Sequence, residues 1–402
     1  MWQGKNPQSP WVILGCAWLL GFAMWAPILA IPPIEHIMKE ELLLSHAQMG
    51  ALFSLPVAIL AIAAIPMGFL ADRIGIRKAV GIGAIIMTVG SLMRGTSTNF
   101  TTLFAFTCLY GIGFALIYAS LPKIVSAWFP SEKVGLATGI YVTGWNVGAS
   151  LALAITLPVV YPVTGTFQGT MYIWSLPVVV ATILWWLIAR EPHRSPIQSQ
   201  QVSAGYKSST SVWKNRNIWL IGLMLFCNNV HYYTWAGWTP ALLMLKGASP
   251  DLAALITSVR SWAGIPAVFL IPWVAYKLGL RKPVIWICTI TAALAALSAM
   301  YIPVPLFWPL MVVLALQGGA FSIIFALPVE MVPKESVGAA SGMVLSVGYM
   351  GALIGPWVAG RILDVTGTLD LALIMLIGVA VVWTCIAFII PETGPRARLW
   401  KQ

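Results

Sequence analysis

The stretch FPSEKVGLATGIYVTGWNVGA, residues 129–149, recurs as VPKESVGAASGMVLSVGYMGA, residues 332–352. Aligned without a gap, the copies are identical at Pro130/Pro333, Glu132/Glu335, Val134/Val337, Gly135/Gly338, Ala137/Ala340, Gly139/Gly342, Gly148/Gly351 and Ala149/Ala352. A second pair, GFLADRIGIRK from Gly68 and PWVAYKLGLRK from Pro272, has nearly the same separation. Two matched blocks at one separation indicate that the chain is an internal duplication.

The duplicated unit is built from long apolar segments. The 402 residues are 59% hydrophobic and 9% charged, whereas a soluble domain carries about 25% charged residues. A bilayer-spanning helix needs about 20 apolar residues. Twelve candidate spans lie near residues 11–33, 46–70, 79–95, 100–127, 134–158, 169–189, 217–245, 250–275, 283–302, 306–331, 336–361 and 369–390. Each copy therefore holds six spans, and an even number gives both copies the same orientation, a parallel repeat.

Basic residues set the predicted orientation. Most of the 23 Lys and Arg residues fall in the loops and tails on one side of the predicted spans. The opposite side holds only Lys39, Arg94, Lys246 and Arg361, and two more lie within spans. Because such residues collect on the cytoplasmic side, we predict a multi-pass protein of the cell membrane with both termini in the cytoplasm.

One long polar stretch separates the sixth and seventh spans. It runs from Arg190 to Arg216 and contains SPIQSQQVSAGYKSSTS, a composition typical of linkers. We predict an N-terminal six-helix bundle at 1–190, a cytoplasmic linker at 191–216 and a C-terminal six-helix bundle at 217–402.

Several classes of protein are disfavoured. The net charge of +11 reflects membrane orientation, and the basic residues are not interleaved with exposed aromatics as in a nucleic-acid groove. The four histidines are scattered, and no metal, cofactor or catalytic motif is present, which argues against a membrane enzyme. The expected partners are a small-molecule substrate and the lipid bilayer, and we predict a monomer.

The segment GFLADRIGIRK resembles the loop between the second and third helices of the major facilitator superfamily. Gly68, Asp72, Arg73, Gly75, Arg77 and Lys78 fit its pattern, and Ile76 stands where a basic residue is common. The resemblance implies an all-α membrane protein with twelve transmembrane helices in two six-helix bundles, and a transporter. It also implies that these six residues form a conformational switch loop. The alternative is that they serve only to set the orientation of the protein in the membrane.

Other stretches are similar to narrower groups within the superfamily. TVGSLMRGTST around Arg94 and WAGWTPALLMLKGASPDLAALITSVRSWAG resemble the cyanate permease and nitroimidazole transporter branch. GWNVGASLALAITLPVV from Gly144 is similar to the fifth helix of nitrate/nitrite porters. These likenesses imply substrates that are small anions or small nitrogen-rich solutes.

Arg260 is the main candidate for binding substrate. It lies about ten residues into the eighth span, and a rise of about 15 Å places it near the midplane of the bilayer. None of the twelve Asp and Glu residues falls in the middle of a predicted span. A planar guanidinium suits a carboxylate or similar oxyanion, so the sequence predicts that the substrate neutralises Arg260.

The seventh span carries the polar run CNNVHYYTWAGW, residues 227–238. Asn228, His231, Tyr232 and Trp235 have the spacing of one helical face. This face either lines a cavity or bonds to neighbouring helices, and His231 either carries a proton or is only hydrogen-bonded. Asn146, Trp25 and Tyr118 are further candidates for lining the cavity.

These observations predict a secondary transporter that moves a small anion of the cyanate, nitrate/nitrite or small carboxylate type by alternating access. The alternative is an exporter of a small neutral compound such as a nitroimidazole-like drug. Coupling to a proton, exchange and uniport all remain open.

Overall fold

The computed structural model describes residues 9–190, 213–332, 336–394 and 396. Most of the predicted linker therefore lies outside the described residues. We label the twelve long helices α1 to α12 in chain order. They are α1 Pro10–Leu29, α2 His46–Ile74, α3 Ile76–Arg94, α4 Phe100–Trp128, α5 Ser131–Ile155, α6 Phe167–Ile188, α7 Arg216–Leu245, α8 Pro250–Leu278, α9 Lys282–Tyr301, α10 Phe307–Leu314 with Leu316–Met331, α11 Val337–Thr366 and α12 Asp370–Ile389.

Within the described ranges, eleven helices are long and apolar enough to cross a membrane. The helix outside that group is α7, which is 30 residues long but carries the polar run. Its Asn228 and Asn229 are each 2% exposed and His231 is fully buried. These polar side chains face other helices instead of lipid, so α7 belongs to the bundle. The prediction of an all-α fold with twelve spanning helices is confirmed.

The repeat found in the sequence reappears as equivalent packing. In the first half, Gly148 of α5 lies against the backbone carbonyl of Phe22 in α1. In the second half, Gly351 of α11 lies against the carbonyl of Phe226 in α7. A Cβ atom at either glycine would collide with that backbone. The repeated glycines therefore allow the same close helix pair to form in both halves.

The loop between α2 and α3 is almost a single residue. Gly75 ends α2 and immediately precedes α3, with a φ angle of 91°. A side chain would be strained at this angle, which favours glycine here. The tight turn fixes where the neighbouring loop residues lie.

The two halves meet at one end of the bundle through α2 and α11. We call this end, which carries His46 and Asp364, the far end, and the end that carries Asp72 and Lys282 the basic end. The Asp364 carboxylate of α11 accepts hydrogen bonds from the backbone N–H groups of His46 at 2.8 Å and Ala47 at 2.9 Å. A negative charge at a helix N-terminus is stabilising, so this contact fastens the second half to the start of α2.

At the basic end, the ion pairs form inside each half. Lys123 of α4 binds Asp72 of α2 at 2.6 Å. In the second half, Arg281 binds Glu330 of α10 at 2.8 Å. Such pairs, where partly exposed, contribute about 1 kcal/mol or less, and they stiffen each half separately.

Candidate functional site

Arg260 lies in the middle of α8 and is 5% exposed. Its Nη1 donates to the backbone carbonyl of Tyr232 at 2.8 Å, and its Nη2 donates to Gln317 Oε1 at 2.8 Å. The guanidinium carbon lies 4.4 Å from the centre of the Tyr232 ring. The Nε atom is buried without a hydrogen-bond partner among the described residues.

These contacts hold the arginine but leave its charge unbalanced. A charged side chain at the centre of a spanning helix costs about 3 kcal/mol on insertion scales. Each hydrogen bond from a charged donor contributes about 2 kcal/mol, so the two bonds of Arg260 offset that cost. Across the described part of the chain, no carboxylate forms an ion pair with Arg260. The contacts within the protein thus hold Arg260 in place but supply no negative charge to balance it.

Gln317 of α10 connects Arg260 to His231. The His231 Nε2 atom lies 2.6 Å from the carbonyl oxygen of Leu376, which can only accept, so Nε2 carries a hydrogen. In the neutral ring Nδ1 then accepts, and Gln317 Nε2 donates to it at 3.4 Å. The amide of Gln317 is thereby oriented with its oxygen towards Arg260.

The polar run of α7 divides between two surroundings. Asn228 donates to the backbone carbonyl of Gln317 at 3.3 Å, next to Arg260. Trp235 packs instead in an apolar cluster with Leu373 and Leu376 of α12. The structure thus brings Asn228, His231 and Tyr232 together with Arg260 and does not bring Trp235 to them. We call Arg260, Gln317, His231, Asn228 and Tyr232 the Arg260 site.

A row of aromatic rings runs from the Arg260 site across both halves. We call it the aromatic bridge, and its members are Tyr233, Trp25, Trp145, Tyr118 and Tyr349. Tyr233 follows Tyr232, with ring centres 5.2 Å apart. The next steps are 6.2 Å to Trp25, 6.3 Å from there to Trp145 and 5.2 Å on to Tyr118. The row ends in a 2.7 Å hydrogen bond between the hydroxyls of Tyr118 and Tyr349.

The bridge places candidate residues from both halves around one region. Trp25 and Tyr118 come from the first half, and Tyr233 and Tyr349 come from the second. The Nε1 atoms of Trp25 and Trp145 have no partner among the described residues although both are buried. The Trp145 Nε1 atom lies against Gly21 of α1, so Trp25, whose ring centre lies 6.2 Å from that of Tyr233, supplies the unpaired indole donor next to the second half.

Asn146 of α5 faces α8 one turn beyond Arg260. A Cβ atom at Gly264 would lie 3.3 Å from Asn146 Oδ1. The Asn146 side chain donates to the carbonyl of Val142 through a long bond of 3.4 Å. Asn146 of the first half thus lies against the helix that carries Arg260.

The loop residues at the basic end form a separate group. Lys123 bonds to the Gly68 carbonyl at 2.8 Å in addition to Asp72. Arg77 donates to the Trp186 carbonyl at 3.2 Å and lies over that ring. Arg73 and Lys78 are exposed. These contacts join α2, α3, α4 and α6 of the first half.

Two residues of this region were missed in the sequence. Gln317 is the one amide side chain in the apolar run of residues 306–331, so its isolation was a usable signal. Tyr349 is the repeat counterpart of Asn146 in the gapless alignment. Comparing the two copies position by position would have paired Tyr349 with Asn146 and so marked it as a candidate.

Comparison with known proteins assigns the family. The profile of the Major Facilitator Superfamily matches residues 13–249 and 242–400. The cyanate transport protein CynX of Escherichia coli strain K12 is 22% identical over 355 residues, covering 87% of this chain and 89% of that protein. The 2-nitroimidazole transporter of the same strain is 24% identical over 352 residues, covering 87% and 86%.

A solved structure shares the fold. It is a bacterial homolog of the human lysosomal transporter Spinster, with a TM-score of 0.76 and 16% identity, and the match covers 96% of this chain and 97% of that one. The helices, the repeat and the profile agree over nearly the whole length. The chain belongs to the major facilitator superfamily and is a multi-pass membrane transporter of small molecules, not an enzyme.

Proposed function

We propose that this transporter moves a small anion by alternating access, with Arg260 as the counter-charge of the substrate. The observation that carries the proposal is the buried Arg260 with an amide and a carbonyl as its hydrogen-bond acceptors. At 4 Å and an effective dielectric constant of 20, an anion gains about 4 kcal/mol from a single positive charge. The anion would supply the acceptor that the Arg260 Nε atom lacks.

The position of the site supports movement by alternating access. Arg260 lies beside the aromatic bridge, which includes rings from both halves. A substrate held there would touch both bundles, so it could be released when they rock to the other side. The cyanate transported by one relative, as its name states, is a small anion of the proposed class.

The second candidate is a small neutral aromatic compound. The unpaired indole donor of Trp25 and the aromatic rings around it favour it, because a flat ring with acceptor atoms stacks on such side chains. The name of the other relative, a 2-nitroimidazole transporter, agrees with this class. The two candidates differ in whether the charge of Arg260 is required.

We also propose that the basic end faces the cytoplasm and that the protein works as a monomer. Arg73 and Lys78 are exposed at this end, as the positive-inside rule requires. A cysteine introduced at Lys78 should react with a membrane-impermeant maleimide only after cells are opened. Labelling of this cysteine in intact cells would contradict the proposal and place the basic end outside the cell.

The decisive experiment is a thermal-shift screen of the purified protein. Cyanate, nitrate, nitrite, formate and 2-nitroimidazole are compared, and each compound that stabilises the protein is tested for uptake into proteoliposomes. The anion proposal expects stabilisation and uptake of at least one anion by wild type. Arg260→Ala should show neither. Arg260→Lys should bind and transport the anion only weakly if two guanidinium nitrogens hold it.

Two results would contradict the proposal. One is normal anion uptake by Arg260→Ala, which would remove the counter-charge role. The other is stabilisation and uptake of 2-nitroimidazole alone, equal in wild type and Arg260→Ala, which would select the neutral candidate.

A further inference from the structure

Gln317 lies between two basic side chains and satisfies both in one orientation only. Its Oε1 accepts from Arg260 Nη2 at 2.8 Å, and its Nε2 donates to His231 Nδ1 at 3.4 Å. His231 is held in turn by the Leu376 carbonyl at 2.6 Å. The Gln317 oxygen therefore occupies a position at Arg260 that an anion would otherwise take.

A second proton on His231 would reverse this arrangement. Imidazole is the side chain that gains and loses its charge between pH 5 and 8 in water. Both nitrogens of the protonated ring donate, so Nδ1 could no longer accept from Gln317. The amide would have to turn its oxygen towards His231, and its NH₂ group would then face the donors of Arg260. Arg260 would lose the Gln317 oxygen as an acceptor, and a bound anion would take the place of that oxygen.

The charges around His231 also favour binding of the proton and the anion together. Arg260 from α8 and Tyr232 from α7 are the titratable groups beside His231 in the part of the chain that the structure describes. From α10 comes the Gln317 amide, and from α12 come the Leu376 carbonyl and the Trp383 ring, centred 6.4 Å from the imidazole. A proton on His231 would thus add a second positive charge without a carboxylate in contact. Proton and anion each lower the cost of the other.

We propose that Gln317 is a positioning residue whose amide turns over between His231 and Arg260, so that one proton enters with each anion. This inference rests on the proposed anion site at Arg260 and adds its coupling. The sign follows from linkage: a ligand that binds together with a proton binds more tightly as pH falls. For one proton, the dissociation constant falls by up to about tenfold for each pH unit.

The test measures binding of nitrate and formate to purified protein between pH 5 and pH 8. Wild type should bind the effective probe about tenfold more tightly for each unit of falling pH where the dependence is steepest. Gln317→Met has similar length but no acceptor, so Arg260 stays uncovered at every pH. This variant should bind more tightly than wild type at pH 8 and show a shallower pH profile, because only the direct charge of His231 still links the proton to the anion. His36→Gln, which removes a histidine far from Arg260 in the sequence, should keep the wild-type profile.

A second variant guards against misfolding of the first. His231→Gln keeps an amide acceptor for Gln317 but takes up no proton, so its profile should be flat. In ¹⁵N-histidine NMR spectra, adding the probe should move protonation of His231 to higher pH in wild type. The shift should be smaller in Gln317→Met than in wild type, a result that a purely structural role for Gln317 does not predict.

The outcomes separate this inference from the proposed function. Binding that requires Arg260 but shows the same pH dependence in wild type and Gln317→Met overturns the switch and leaves the anion site intact. Failure of wild type to bind either probe at any pH overturns the switch, and it overturns the anion site as well if cyanate and nitrite also fail.

Discussion

Among the residues that the structure describes, two arginines are buried, one in each half, and they have similar surroundings. Arg94 at the end of α3 is 1% exposed and Arg260 is 5% exposed. Each lies over a tyrosine ring, at 5.5 Å for Tyr110 and 4.4 Å for Tyr232. Each also donates to a backbone carbonyl. Burial and contact type therefore do not tell the two arginines apart.

The backbone carbonyls that accept from the two arginines differ in whether they also have a backbone N–H partner. Arg94 donates to Pro27, where the backbone N–H groups that follow reach Ala26 and Ile28 instead. The Pro27 oxygen would be left without that partner if Arg94 were removed. The Tyr232 oxygen lies inside α7, where the N–H four residues on already bonds to it. Arg94 completes the end of α1, whereas α7 is complete without Arg260.

The two sites also differ in their place between the halves. The contacts of Arg94 lie in α1 and α4 of the first half. Arg260 contacts the side-chain amide of Gln317 and the ring of Tyr232, and Tyr232 adjoins the aromatic bridge between the halves. This difference in position is why we propose Arg260, and not Arg94, as the substrate-binding arginine.

The largest effect is expected for Arg260→Met. Removal of the proposed counter-charge from this buried site should lower anion affinity by about 100-fold, which is about 3 kcal/mol. Arg260 lies at the centre of a spanning helix, where a charge costs about 3 kcal/mol, and losing that cost offsets the roughly 2 kcal/mol for leaving the buried Gln317 oxygen without its donor, so the melting temperature should not fall. Titration of the stabilising anion and melting followed by tryptophan fluorescence check both parts. A tight-binding Arg260→Met protein would break the distinction drawn here.

Arg94→Met should give the opposite result. An unpaired buried carbonyl costs about 2 kcal/mol, which corresponds to a lower melting temperature by about 4 °C. Anion affinity, measured in the same titration, should stay within about threefold of wild type. Loss of the anion response with unchanged melting would make Arg94 part of the binding site.

Gln317→Glu should weaken anion binding without removing Arg260. The carboxylate is nearly the same shape as the amide and would pair with the guanidinium at close range. Substrate must then displace a charged competitor, and we expect about tenfold lower affinity at pH 8. Recovery at acidic pH, where the new carboxyl is protonated, provides an internal control. Unchanged affinity at pH 8 would show that Gln317 does not cover the anion position.

The smallest effects are expected when the tyrosine next to each arginine is replaced by phenylalanine. The Tyr110 hydroxyl donates to the Met24 carbonyl at 2.6 Å, beside the Ala23 carbonyl that Pro27 cannot bond. Tyr110→Phe should therefore destabilise the protein by about 1 kcal/mol. Tyr232 touches Arg260 through its ring, so Tyr232→Phe should leave both melting and affinity nearly unchanged. Equal losses in the two variants would contradict this difference.

Much of the architecture was accessible without coordinates. The twelve spans, their division into two copies and the family follow from apolar length, repeated glycines and the Gly68–Lys78 loop, because these signals are local in the chain. The absence of a mid-span acid pointed to Arg260 for the same reason. Helical spacing on α7 was a weaker guide, since Trp235 has the same periodicity as His231 but packs in an apolar cluster, whereas His231 bonds to Gln317.

Tertiary packing alone decided the partners of the candidate site. Gln317 and Leu376 lie 86 and 145 residues from His231 in the chain, and no local pattern relates such distant positions. The aromatic bridge likewise depends on how two bundles pack against each other. Sequence periodicity states which residues share a helix face, but hydrogen-bond direction and ring contacts depend on which helix that face meets.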